Sequence, residues 1–206
     1  EDHTTFRAAK EELEERLKAL RDDMDSLLGK LNGKHADYKE GIEYQAWKKS
    51  HTPFHWFAEY YGIVHQRGGF DVIIGNPPYV EYSKVVKQYV LRGYSTLESG
   101  NLYAMVLERS AQLQHRETYL GWITPISIIS TDRTKTLQSF LKLRYDRWVA
   151  SFDVFPARIF EGAAQRVSIA ICKVAKTAHP SLLTTKYQRW FQVERSNLVE
   201  CLSYGT

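Results

Sequence analysis

An α/β fold is predicted, with a mostly parallel sheet that ends in a hairpin-like pair and a long helical segment ahead of it. Three observations carry this reading. Short, β-branched apolar runs stopped by proline or by turn residues recur over residues 70–174. Helical patterns alternate with those runs. The first 31 residues carry an apolar repeat of coiled-coil period between charged faces.

Phe6, Leu13, Leu17, Leu20, Met24, Leu27 and Leu31 form that repeat, and they predict a long helix packed along one seam, with Asn32-Gly33 as its stop and Gly29 fraying its end. Residues 34–49 are mixed and weakly helical. Pro53 opens a short helix capped by Thr52 or Ser50, with Phe54, Trp56, Phe57, Tyr60, Tyr61 and Ile63 as its apolar bulk. Gly68-Gly69 is a break. Phe70 to Ile74 reads as a buried strand, with Asp71 near its start capping or pairing locally, or else serving as a cofactor-side carboxylate. Residues 81–98 form an irregular connection. A helix over Asn101–Leu113 presents Leu102, Met105, Val106, Leu107 and Leu113. Tyr119 to Pro125 is a second strand, stopped by its proline. A helix over 132–143 follows, capped by Thr131 or Asp132. Trp148 to Phe152 and Arg166 to Val174 are the remaining strands, and the residues from Thr177 onward form a basic, aromatic tail. This divides the chain into a helical arm (1–49), a sheet-bearing domain (50–176) and a tail (177–206).

The chain has 206 residues, 43% of them apolar, so it can bury a core. Cys172 and Cys201 are its only cysteines and make neither a disulfide framework nor a metal pattern, which points to a reducing, cytoplasmic setting and to no metal. No apolar run approaches the roughly 20 residues that cross a bilayer, and no membrane partner is expected. Residues 1–31 carry a net charge of −3, and the remainder carries +7. The basic excess is compatible with a nucleic-acid partner and equally with an ordinary basic surface. The start at Glu1, without methionine, suggests an excised piece.

The chemistry is concentrated in Asn76-Pro77-Pro78-Tyr79. In an open α/β sheet, ligands sit beyond the carboxyl ends of the strands, where this tetrapeptide falls. Two prolines make a stiff loop with fixed carbonyl directions. The Asn76 amide oxygen and the Pro77 carbonyl are two acceptors for an exocyclic amine such as adenine N6. Held off the ring plane, they favour a tetrahedral nitrogen and stabilise the positive charge that develops when a methyl group arrives. Tyr79 offers a ring to stack on the base. A base inside a duplex must be flipped out to be reached. Phe160, in Arg158-Ile159-Phe160-Glu161-Gly162, is the candidate for the other face of the base, and Phe155 is the alternate.

These residues resemble the adenine-specific DNA methyltransferases of bacterial restriction-modification and phage-defence systems, in particular the Eco57I-like, or type IIG-like, group. Gly68 to Val80 matches the group's catalytic strand and loop. Phe54 to Tyr60 is similar to the aromatic segment ahead of it, Gly100-Asn101-Leu102-Tyr103 to the start of the next helix, Gly121 to Pro125 to the following strand end, and Phe160 to Ile171 to the base-stacking segment. The resemblance spans roughly residues 50–175. It implies a Rossmann-like methyltransferase sheet, present here as its catalytic side. It also implies S-adenosylmethionine as the donor, with Asn76 and Asn101 bordering the donor pocket, and double-stranded DNA as the partner of a bacterial parent protein. Asn101 departs from the group's usual aspartate.

The donor needs a strand, a glycine turn and a helix start. Gly29, Gly33, Gly68, Gly69 and Gly100 do not fall in that order. The expectation is therefore the catalytic-loop half of a larger enzyme. It would be inactive alone and bind little or no donor, with a recognition domain beyond Thr206. Dimerisation through the amino-terminal helix or an exposed sheet edge is a further expectation. The competing readings are a methyltransferase acting on RNA or on a protein amide, and a non-catalytic helical interaction module.

Overall fold

The computed structural model describes residues 2–31, 41–88 and 90–206. The helix stop expected at Asn32-Gly33 lies outside these residues. The chain divides into two compact units, Glu1–Gln66 and Arg67–Thr206.

The first unit is helical: α1 (Asp2–Leu31), α2 (Ile42–His51), α3 (Trp56–Glu59) and a π-helical turn at Gly62–Gln66. The seam expected along α1 had its partner left open, this chain or a second copy, and within this chain most of the stripe is uncovered. Phe6, Leu13, Leu20, Leu27 and Leu31 are exposed, whereas Asp25 and Ser26 are buried. The packed side is the one that finds partners. Asp25 accepts from His55 Nε2 at 2.7 Å and pairs with Lys48 Nζ at 2.8 Å. Leu28 beside it packs on Tyr44 and Trp47. Arg21 joins Glu59 at 2.8 Å. Thr52 ends α2 instead of opening the next helix: its N–H returns to the Lys48 carbonyl at 2.9 Å and its φ is 40°. Pro53 disfavours the right-handed helical region for the residue before it, so the chain leaves the helix there. α3 begins only at Trp56.

The second unit holds β1 (Phe70–Gly75), α4 (Tyr82–Val85), α5 (Leu102–Gln112), β2 (Gln114–Pro125), α6 (Ser127–Ser130), α7 (Lys135–Lys142), β3 (Tyr145–Phe152), β4 (Val167–Val174) and β5 (Leu182–Thr184). The fold is α/β, as expected. The sheet order is β1-β2-β4-β3-β5. β1 and β2 are parallel, as are β3 and β5, but β4 is antiparallel to both of its neighbours. The sheet is thus mixed and not mostly parallel, because the last strand of the hairpin-like pair inserts between β2 and β3. Its largely apolar sequence suits that central place, with Val167, Ser168, Ala170 and Cys172 buried.

β1 is an edge strand, as the expectation of an exposed sheet edge has it, but its side chains are not buried as expected. Val72 is 60% exposed and Ile74 78%. Ile73 alone turns inward, opposite Leu120, onto the main core of Tyr103, Leu107, Leu120, Trp122, Leu137 and Tyr145. The strand starts where Gly69, at φ 129°, lies so close to the Gln114 backbone that a Cβ would collide with it. A second core holds Ala150, Phe152, Ala157, Val167 and Trp190, so residues of the carboxyl-terminal segment belong to this unit.

The connection over 81–98 is more ordered than its sequence suggests. It contains α4 and a 3₁₀ turn at Leu97–Ser99. Glu108 of α5, 6% exposed, accepts four hydrogen bonds of 2.8–3.0 Å from the N–H and hydroxyl groups of Ser95 and Thr96. Burial pushes this carboxyl up, and the four donors outweigh it, so its pKa lies below the ordinary glutamate value.

Glu108→Gln is therefore expected to lower stability by about 1.5–3 kcal/mol in chemical denaturation at pH 7, since it weakens charge-assisted bonds and leaves a donor facing donors. A carboxyl with a depressed folded-state pKa stabilises above its unfolded value of about 4.3. The difference between the two proteins should accordingly shrink as pH falls below that value.

Candidate active site

β3 runs antiparallel to β4, and β4 antiparallel to β2, so β1, β2 and β3 point the same way. The loops that leave them, over 76–81, 126–131 and 153–166, gather at one end of the sheet, where ligands of α/β folds bind. Gly75 lies beside Trp122, so the Asn76–Tyr79 loop starts level with the last residues of β2.

Asn76 is exposed, Pro77 buried, Pro78 exposed and Tyr79 half-buried. Among the described residues, the Asn76 amide makes no hydrogen bond. The loop is pinned by its other parts. The Tyr79 hydroxyl donates to the Ile123 carbonyl at 2.9 Å. Leu102 N–H donates to Val80 at 2.9 Å, and Tyr82 N–H to Gly100 at 2.8 Å, tying the exit of the loop to the start of α5. Glu81 adds an ion pair with Arg133 at 2.7 Å. Burial pushes the Tyr79 phenol up to about 12. A neutral phenol whose proton is already donated is neither a base nor a nucleophile at pH 7, and what remains for Tyr79 is its ring.

That ring packs against the second core, as does Phe160 from the β3–β4 loop, also half-buried. The structure thus brings Tyr79 and Phe160 to one cluster at the strand ends. Phe155 is 65% exposed and does not join it. Asn101 is occupied within the fold. Its Oδ1 accepts from Tyr103 N–H at 3.5 Å to cap α5, and its Nδ2 donates to Glu81 at 3.4 Å. Asp71 pairs locally with Arg67 at 2.8 Å. The glycines next to β1 serve strand packing: Gly69 meets the Gln114 backbone. Among the described residues, no cluster of His, Cys, Asp or Glu has metal-binding form, and no helix is long and apolar enough to cross a membrane.

One group here was missed from sequence. Asp153, 4% exposed, follows β3 and accepts from its neighbour Val154 N–H at 2.8 Å, from Arg166 at 3.2 Å and from Arg189 at 3.0 Å. The Val154 N–H comes first, and the two arginines add to it, in holding the carboxyl at about 2 against the upward push of burial. Asp153 joins the end of β3, the start of β4 and the carboxyl-terminal segment, and so frames the loop that carries Phe160. No spacing in the sequence marks this trio. Several basic residues of β4 and of the segment after it are engaged within this unit. Arg189 pairs with Asp153, and Arg195 donates to the Ile159 carbonyl at 3.0 Å. Lys176 pairs with Glu117 at 3.0 Å, and Lys173 lies over the Tyr119 ring at 4.9 Å.

Comparison with known proteins accords with this arrangement. The family model of the Eco57I restriction-modification methylases matches residues 4–160, and the chain belongs to that family. It is 33% identical over 106 residues to RM.MjaORFECS2P of Methanocaldococcus jannaschii, a protein provisionally described as a type II restriction enzyme and methyltransferase. The match covers 50% of this chain and 9% of that protein. It is 35% identical over 79 residues to the type II restriction enzyme and methyltransferase RM.Eco57I of Escherichia coli, covering 35% of this chain and 8% of that protein. The chain thus matches less than a tenth of either relative. A DrdV–DNA complex shares the fold over 68% of this chain and 18% of its own, at 13% identity and a TM-score of 0.50.

Asp153→Asn is expected to lower the melting temperature at pH 7. Its carboxyl titrates near 2 when folded and near 3.9 when unfolded, so its stabilisation is present above about pH 4 and is lost as pH falls toward 2. Scanning calorimetry of both proteins at pH 7 and at pH 2.5 should show the gap in melting temperature closing.

Proposed function

We propose that this chain is the catalytic-loop portion of a DNA methyltransferase of restriction-modification type, and that the acceptor of the methyl group is adenine N6 of a flipped base. The carrying observation is the Asn76–Tyr79 loop. It stands at the carboxyl end of β1 with an exposed asparagine amide that has no hydrogen-bond partner among the described residues, beside two aromatic rings that share one core cluster. Membership in a restriction-modification methylase family supports the reaction class. DNA as the substrate is supported by the DrdV–DNA complex that shares the fold.

S-adenosylmethionine would supply an electrophilic methyl group in such an enzyme. The roles assigned here stay on the acceptor side. The Asn76 amide oxygen and the Pro77 carbonyl accept from the two N6 hydrogens. As the amine loses its overlap with the ring, these oxygens stabilise the growing positive charge. No reorganisation is needed, because Pro77 is buried and Tyr79 is anchored on β2. The Tyr79 and Phe160 rings flank the extruded base and offset the stacking it gives up on leaving the duplex.

Three substitutions in the intact parent enzyme test this assignment. With tritiated donor and duplex DNA, Asn76→Ala is expected to lower kcat by about 10²–10³-fold while DNA affinity changes little. Unchanged turnover would defeat the assignment. Tyr79→Phe keeps the ring and removes the bond to Ile123. Its expected cost is about 0.5–1.5 kcal/mol in stability, with most of kcat retained, whereas Tyr79→Ala should lose it.

A further inference from the structure

A groove of about 620 Å³ lies between α7, the β3–β4 surface and the segment from Pro180 to Leu182. It shares no lining residue with the Asn76–Tyr79 loop, so it stands independently of the methyl-transfer reading. Its floor is apolar: Val149 lines it with Cys172, which is 1% exposed and whose thiol burial pushes up to about 12. A thiol that stays protonated at pH 7 behaves as an apolar group. Arg147 stands on the same sheet face, directly opposite Cys172. It is half-buried, and its Nε donates to the Tyr145 carbonyl at 3.1 Å. Among the described residues, Arg147 makes no ion pair and its guanidinium has no other acceptor. Neighbouring Asp146 is engaged elsewhere, accepting from the Ser181 N–H at 2.7 Å and hydroxyl at 2.9 Å. Lys135 and Lys142 add positive charge, and no acidic side chain lines the groove. Lys135 is paired with Asp132 at 3.0 Å; Lys142 has no ion pair among the described residues.

We propose that this groove binds a small amphipathic carboxylate, its apolar body lying on Ile129, Val149 and Leu182 and its charged end paired with Arg147. The volume falls in the range of small-ligand clefts, about 300–1,000 Å³, which are mostly apolar with a few convergent polar groups. A half-buried guanidinium is already partly desolvated, and a carboxylate matches its planar fork with two parallel hydrogen bonds.

The test is a titration of the 206-residue chain with sodium 2-naphthoate, followed by amide NMR, with 2-naphthamide as the neutral analogue. The expected result is saturable binding with shifts centred on residues 147–149, 170–172 and α7. Binding of 2-naphthamide should be at least about tenfold weaker, and Arg147→Gln should weaken naphthoate by about tenfold. Should circular dichroism show Arg147→Gln unfolded, Lys142→Glu at the exposed rim replaces it, with about threefold weakening expected. The proposal is overturned by the absence of saturation up to the solubility limit, by equal affinity for acid and amide, or by unchanged affinity in the folded variant. Shifts gathered around Val72 and Tyr119 instead would also overturn it.

Discussion

β4 runs antiparallel to both strands it separates, and the rest of the second unit depends on that direction. Were it parallel, its entry would lie at the opposite end of the sheet, and the loop bearing Phe160 would not meet the Asn76–Tyr79 loop. Because it enters where β1, β2 and β3 leave, Tyr79, Ile123 and Phe160 pack on one cluster with Phe152 and Val167. The central position is also what β4 requires. Two full ladders satisfy its backbone, and its small side chain at Ala170 helps leave the groove under α7 open.

Two buried carboxylates fix the loops that this topology brings together. Glu108 holds Ser95 and Thr96, and Asp153 holds Arg166 and Arg189. A buried charge is costly unless its acceptor sites are filled, and each of these accepts at least three hydrogen bonds. The two differ in kind. Glu108 is met by neutral donors and orders a connection. Asp153 is met by two cations that are themselves mostly exposed, so its hold is electrostatic at the rim and hydrogen-bonded at the backbone. The consequence is a division of labour: strands carry the Asn76–Tyr79 loop, and carboxylates order the neighbouring loops.

Much of this was legible in the sequence. A β-branched run stopped by two prolines identifies β1 and its loop because both signals are local. Strands β2, β3 and β4 and helix α5 are recognisable for the same reason, with ends displaced by a few residues. Properties that depend on distant neighbours were not legible. Nothing within Phe70–Gly75 says that Val72 and Ile74 face no helix. The heptad-like stripe of α1 looks core-forming until Asp25 finds His55 and Lys48 and turns the other side inward. Thr52 has the chemistry of a helix start, and Pro53 next to it makes it a helix end. Asp153 and its two arginines are 13 and 36 residues apart, a pairing created only by the fold.

The site is unevenly supported, and this bears on which of its parts can act. On the β2 side, Tyr79 is held through a backbone carbonyl of an interior strand, and its ring lies against a closed core. On the β1 side, a single parallel ladder holds an edge strand whose outward residues are largely exposed, an arrangement uncommon for parallel strands. The two prolines offset this weakness. With φ set by their rings, the loop keeps a fixed course from β1 to Tyr79, whose hydroxyl ties it to β2. A loop of ordinary residues at the same edge would need cover on both faces of β1 to hold its acceptors as firmly. Diproline thus fixes the course of the Asn76–Tyr79 loop through its own ring geometry, independently of what lies against the outer side of β1.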